Sequence, residues 1–168
     1  MALHDKFWPK YLPRSIATPA TSLWHNLKVS AERYPDKLAL VFLGRETTYR
    51  ELAGQVDALA GSLHAMGVRR GDRVILDMQN CPQLVVAHFA ILRANAVVVP
   101  VNPMNRAEEL KHYITDSDAK VAITTADLAG ELVAASDALP AEQRLSHLLV
   151  TQYTDGFDAD ATGDEAPI

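Results

Sequence analysis

The sequence predicts an α/β fold: a mostly parallel sheet with helices on both faces and a hairpin at its edge. Three observations carry this. The strand-like runs at 73–77, 97–101 and 119–125 have continuous apolar cores and do not alternate with polar residues, as expected of strands buried on both faces. Segments with apolar residues at helical spacing lie between them. The two kinds of segment alternate through the middle of the chain, the pattern of strand–helix–strand units.

The elements follow in order. Ser22 is placed to cap a first helix carrying Leu23, Leu27 and Ala31 on one face, and Pro35 stops it. "LALVF" (38–42) is rich in strand formers. Gly44 with Arg45 offers a tight turn, and "ETTY" returns as the second strand of a hairpin. Thr48 and Glu51 form a capping box. It opens a long helix with Leu52, Val56, Leu59, Leu63 and Met66 along one stripe, and Gly67 closes it. Arg73–Asp77 is the next strand. Asn80 is expected to cap the following helix, with Pro82 in its first turn and Gln83 at its third position. That helix runs to about Ala94, where Asn95 can adopt the left-handed conformation. Val97–Val101 is read as a central strand. Asn105 and Glu108 suggest a second capping box for a helix through Ile114. Residues 119–125 are a strand, 126–139 a helix, and 145–152 a last short strand.

The chain has 168 residues, 48% hydrophobic and 22% charged, with a net charge of −5. That is an ordinary soluble composition, and it gives no support to a nucleic-acid partner, which favours a basic stripe. Five acids and no base fall in 153–168. The expected organisation is an N-terminal arm over 1–20, an α/β subdomain over 21–152 and an acidic linker over 153–168. The single cysteine, Cys81, excludes an intrachain disulfide and fits a cytoplasmic setting. The N-terminus lacks the apolar core of a signal peptide.

Most chemical motifs are absent. There is no G-x-G and no G-x-x-x-x-G-K-[ST] to cradle phosphate. The six histidines (4, 25, 64, 88, 112 and 147) are scattered, with no pair at helical spacing for zinc. No nucleophile elbow occurs. Cys81, opening a helix, could carry a lowered pKa, although a packed thiol is the plainer reading. Arg70-Gly71-Asp72 reads as a turn. The arm's "KFWPKYLPR" mixes aromatic and basic residues; packing on its own protein or a partner subunit is favoured, with a peripheral membrane contact as the alternative. Three residues remain as candidates for lining a site. His88 lies on an apolar helix, where a boundary histidine is the plainer reading. Asn102 and Pro103 lie in "ANAVVVPVNPMN" (94–105), just past a strand's carboxyl end, where ligands of open parallel sheets gather. Turn chemistry explains that corner equally well.

Taken in order, "TTYREL", "GVRRGDRV", "MQNCPQLVVAHFAILRANAVVVPVNP" and "EELKHYITDSDAKV" resemble the N-terminal part of the adenylate-forming acyl-CoA synthetases. The opening "WPKYLP" is similar to the start of medium- and long-chain fatty-acid–CoA ligases. The likeness covers roughly Leu23 to Thr125. It implies the first subdomain of that family's large N-terminal domain, and a reaction in which a carboxylate becomes an acyl-adenylate and then a coenzyme A thioester. It further implies a fatty acid substrate, with ATP, Mg²⁺ and coenzyme A serving the full-length enzyme. The family's Ser/Thr/Gly loop, its adenine- and ribose-binding motifs and its C-terminal lysine do not occur here. The chain is therefore expected to be an N-terminal fragment that binds none of these cofactors, contains no catalytic residue and is inactive alone. Its partners would be the remaining subdomains, with a homodimer as a further option and an exposed apolar face that self-associates. The competing reading is a stand-alone acyl-binding or assembly module.

Overall fold

The computed structural model describes residues 6–155; most of the expected acidic linker lies outside them. In chain order the elements are α1 (Trp24–Arg33), β1 (Leu38–Phe42), β2 (Arg45–Thr48), α2 (Tyr49–Ala65), β3 (Arg73–Asp77), α3 (Pro82–Arg93), β4 (Val97–Pro100), α4 (Ala107–Ser117), β5 (Val121–Thr125), α5 (Ala129–Asp137) and β6 (His147–Thr151).

The four later strands form one parallel sheet in the order β4-β3-β5-β6. Chain order and handedness fix where the helices go. The step from β3 to β4 runs one way across the sheet, whereas β4 to β5 and β5 to β6 run the other way. Right-handed crossovers then put α3 on one face and α4 and α5 on the opposite face. The two cores show this layering. Leu27 of α1, Leu52, Val56 and Leu63 of α2, and Ala87 and Ile91 of α3 pack with Val74, Leu76, Val121 and Ile123 of the sheet. Leu110 and Ile114 of α4 and Leu132 and Ala135 of α5 pack with Ile75 and Ala122. Alternate residues of β3 and β5 thus enter different cores, which is why these strands read as unbroken apolar runs.

Two expectations about the sheet are corrected. The hairpin is not an edge of the parallel sheet; β1 and β2 pair only with each other, antiparallel, among the described residues. It packs through Leu40 and Phe42 against the α2–α3 core. The valine strand β4 is an edge strand and not a central one, so Val97 and Pro100 are exposed. The proline fits there because an edge leaves one side of the backbone without a ladder to complete.

Helix ends follow local chemistry, with shifts. Thr48 and Glu51 form the expected box: the Thr48 hydroxyl accepts from Glu51 N at 3.3 Å, and the Glu51 carboxylate accepts from Thr48 N at 2.8 Å. These bonds hold Glu51 below the usual carboxylate range. Both α2 and α3 end in Schellman motifs. In α2, Gly67 (φ +95°) donates to His64 O and Val68 to Leu63 O; in α3, Asn95 (φ +58°) donates to Leu92 O and Ala96 to Ile91 O. Three expected caps are displaced. Leu23 precedes α1 without a side-chain cap, and the Ser22 carbonyl accepts from His25 N. Cys81, not Asn80, stands at the start of α3, because Pro82 takes the first helical position, which its fixed φ suits. The start of α4 moves one residue on: Glu109 accepts from Arg106 N at 3.0 Å and Glu131 of α5 accepts from Ala107 N at 2.9 Å. Helix α5 begins later than expected because Ala126 still donates to Thr151 O, extending the sheet.

Candidate functional site

The sheet changes direction between β3 and β5. The loop after β3 leads to α3 on one face, and the loop after β5 leads to α5 on the other. Such a switch point opens a crevice at the strands' carboxyl ends. Asp77, the last residue of β3, lies level with Thr124 of β5. It is 2% exposed, and its Oδ1 has no hydrogen-bond partner. Burial, reinforced by the nearby Asp127 carboxylate and opposed by a hydrogen bond with Thr124, raises its pKa to about 6. Asp77 is therefore a carboxyl group that changes charge near neutrality, at the place where parallel sheets take ligands.

On the α2–α3 face lies a cleft of about 370 Å³, lined by Met78 and not by Asp77, within the range of small-molecule sites. Its wall is apolar: Leu59 of α2, Met78, Val86 and Ala87 of α3, Ile123 and Leu149. Arg45, Gln55, Gln83 and Asp155 supply polar groups. The segment after β6 closes one side. Gln83 Nε2 donates to the carbonyl oxygens of Gln152, Tyr153 and Asp155 at 3.0, 3.4 and 3.3 Å. The Asp155 carboxylate accepts from the Thr151 hydroxyl at 2.6 Å and from Gln152 N at 2.8 Å, and these bonds lower its pKa. Gln83 thus clamps the start of α3 to the chain leaving β6 instead of capping its own helix, and its Oε1 is buried without a partner.

The three residues singled out from sequence do not come together here. His88 is half-buried on α3, its ring edge-on to Phe89 at 5.5 Å, and it is not among the cleft residues. Asn102 and Pro103 form the corner after β4. Asn102 Oδ1 accepts from Met104 N at 3.0 Å and its carbonyl from Asn105 N at 2.9 Å. That is an Asx turn within a β-turn, so turn chemistry accounts for the corner. Cys81 is buried, and desolvation raises its thiol pKa, so it is a packed thiol. Sequence reasoning missed Asp77. The signal was present: an aspartate closes the apolar run "RVILD", a strand buried from Val74 to Asp77. The cleft had no such signal, because its residues come from five separate elements.

No cluster of His, Cys, Asp or Glu suited to a metal occurs among the described residues. Nor do the described residues fit a nucleotide's phosphates. The left-handed glycines 44, 67 and 71 serve a hairpin, a helix end and a turn, and no glycine-rich loop meets a lysine.

Comparison with known proteins agrees with this geometry. The profile of the family described as "AMP-binding enzyme" matches residues 27–167. A long-chain-fatty-acid–CoA ligase of Bacillus subtilis is 34% identical over 117 residues, covering 70% of this chain and 21% of its own length. One from Escherichia coli O6:H1 is 33% identical over 156 residues, covering 89% of this chain and 27% of its own. The solved structure of a Mycobacterium tuberculosis fatty acyl CoA synthetase superposes with a TM-score of 0.72 at 25% identity, over 80% of this chain and 27% of that one. The chain thus spans about a quarter of the length of the relatives it matches. A family profile covering most of the chain, and relatives aligned across the same elements that build the cleft, establish that the chain belongs to the AMP-binding enzyme family.

Proposed function

We propose that this chain is the N-terminal part of a fatty-acid–CoA ligase, and that its cleft supplies part of the wall along which the acyl chain lies. The whole protein would join a fatty carboxylate to AMP from ATP and pass the acyl group to coenzyme A. The observation that carries the reading is the apolar cleft at the carboxyl ends of the strands, in a chain whose relatives are named long-chain-fatty-acid–CoA ligases. In this reading the nucleotide chemistry, with Mg²⁺ stabilising charge on phosphate, falls to other parts of a longer protein. This chain's residues scaffold and shape.

The test uses the full-length reading frame and the isolated chain side by side. The full-length protein should show fatty-acid-dependent ATP–pyrophosphate exchange, and the isolated chain none. Val86→Trp, filling the cleft, should lower kcat/KM for long acids about tenfold or more while sparing short ones, since a few buried methylenes carry that much binding energy. An unchanged chain-length profile would remove the cleft from the substrate path. The competing reading is a stand-alone acyl-binding or assembly module. Fatty-acid binding by the isolated chain, coupled with no exchange activity in the full-length protein, would select it.

A further inference from the structure

We propose that Gln83 is a positioning residue for the cleft: its side-chain amide ties the edge strand β6 and the chain leaving it to the start of α3, and so sets how wide the cleft stands. The inference rests on the cleft being the path of the acyl chain. One part of the wall comes from Leu149, Val150, Thr151 and Asp155, which belong to β6 and the segment after it. Strand β6 pairs with β5 alone among the described residues. A wall built on a free edge opens readily unless something outside the sheet holds it. Ala126 N still donates to Thr151 O at 2.9 Å. Beyond that bond, two side-chain ties carry the segment across to the rest of the fold. One is a 3.3 Å contact between the hydroxyls of Tyr153 and Thr125; the other is Gln83.

The Gln83 amide meets three acceptors at once. Nε2 donates to Gln152 O at 3.0 Å, Asp155 O at 3.3 Å and Tyr153 O at 3.4 Å. An amide nitrogen carries two N–H groups, so three carbonyls share them, and the backbone of residues 152–155 curls around one side chain. The carbonyls also fix the amide's orientation, because an oxygen in that place would face only acceptors. The Asp155 carboxylate completes the curl by accepting from the Thr151 hydroxyl and from Gln152 N. Gln83 Oε1 is buried without a partner, which disfavours an amide on packing grounds; what the position uses is the pair of donors. The same helix supplies Val86 and Ala87 to the cleft. One side chain therefore joins two parts of the wall, and its length and donors fix their spacing. Such a spacing selects acyl chains by how well they fill it, since apolar contact is lost when a gap opens.

The experiment removes the donors. Gln83→Met keeps the length without them. Gln83→Glu keeps the shape but turns a carboxylate towards three carbonyls, with Asp155 alongside; protonation at pH 5 returns one O–H donor, and burial among acceptors favours that neutral form. Arg45 and Asp155 line the cleft, and Cys81, Asp77, Asp127 and Tyr153 lie around the start of α3. Parent and variant share all of these, so rates are read as variant-to-parent ratios. Amide hydrogen exchange in the 168-residue chain is followed at Ala126, Gln152 and Asp155, whose N–H groups bond within this segment. Exchange should be at least about tenfold faster in Gln83→Met at pH 5 and pH 8, the factor that one or two hydrogen bonds carry. In Gln83→Glu it should be as fast at pH 8 and return towards the parent at pH 5. Unchanged circular dichroism confirms the fold. In the full-length protein, Gln83→Met should raise KM for long acids about fourfold, the worth of one buried methylene, with kcat and short acids little changed. Three results would overturn the inference: parent-like exchange in both variants, faster exchange in Gln83→Glu that ignores pH, or a KM that rises equally for every chain length. A full-length parent without fatty-acid-dependent ATP–pyrophosphate exchange would defeat the ligase reading instead, and hydrogen exchange would still decide whether Gln83 holds the wall.

Discussion

At Asp77, burial and charge pull against each other. In the unfolded chain its carboxyl titrates near the ordinary aspartate value, about 4; in the folded protein the pKa is about 6. Between those limits the folded state holds a proton that the unfolded state has lost. Its contribution is therefore most favourable below about pH 4, and stability falls as pH rises through 6. Above pH 7 the buried carboxylate costs up to about 3 kcal/mol. Asp77→Asn, which keeps the shape and cannot ionise, should be more stable than the parent at pH 8 and show little advantage at pH 4.5. Urea unfolding at the two values checks this, and an equal difference at both would refute it. Ser22, Asn80 and Asn105 show the limit of single-residue reasoning: each is a good capping type, and none caps its helix; at α3 and α4 the reason is that Pro82, Glu109 and Glu131 rearrange the competition for backbone donors.

Among the elements, the hairpin carries a local conflict. Its two turn residues, Leu43 (φ +48°) and Gly44 (φ +77°), are both left-handed, as a type I′ turn requires. Glycine takes this conformation without strain, whereas leucine does not. Leu43 is also exposed, so packing does not repay it. Leu43→Asn should raise stability by about 0.5–1 kcal/mol, read as a higher urea midpoint with an unchanged slope; a drop would show that Leu43 is held by a contact instead. Asn95 shows the contrasting case: the same backbone demand at the end of α3 is met by a residue that tolerates it.

Across the whole molecule, the sheet is open on the β6 side. Strand β6 pairs with β5 alone among the described residues, Val150 is 51% exposed, and the cleft reaches Leu149 and Val150. A free edge beside an apolar cleft invites pairing. The isolated chain should associate with rising concentration in sedimentation velocity, and Val150→Lys should shift it towards monomer. A parent that stays monomeric throughout would show the edge to be protected.

The sequence by itself determined the element types and their order, since continuous apolar runs, helical stripes and the Thr48–Glu51 box are local signals that tertiary context did not override. Its ordered motifs also pointed to the family. Three things were decided only by the tertiary structure. Strand order made "VVVP" an edge, because alternation along a chain does not say on which side the next strand lands. The hairpin separated from the sheet, because pairing partners are chosen by packing and not by strand propensity. The cleft and the ionisation of Asp77 came from residues far apart in sequence, since desolvation and proximity exist only once the chain has folded.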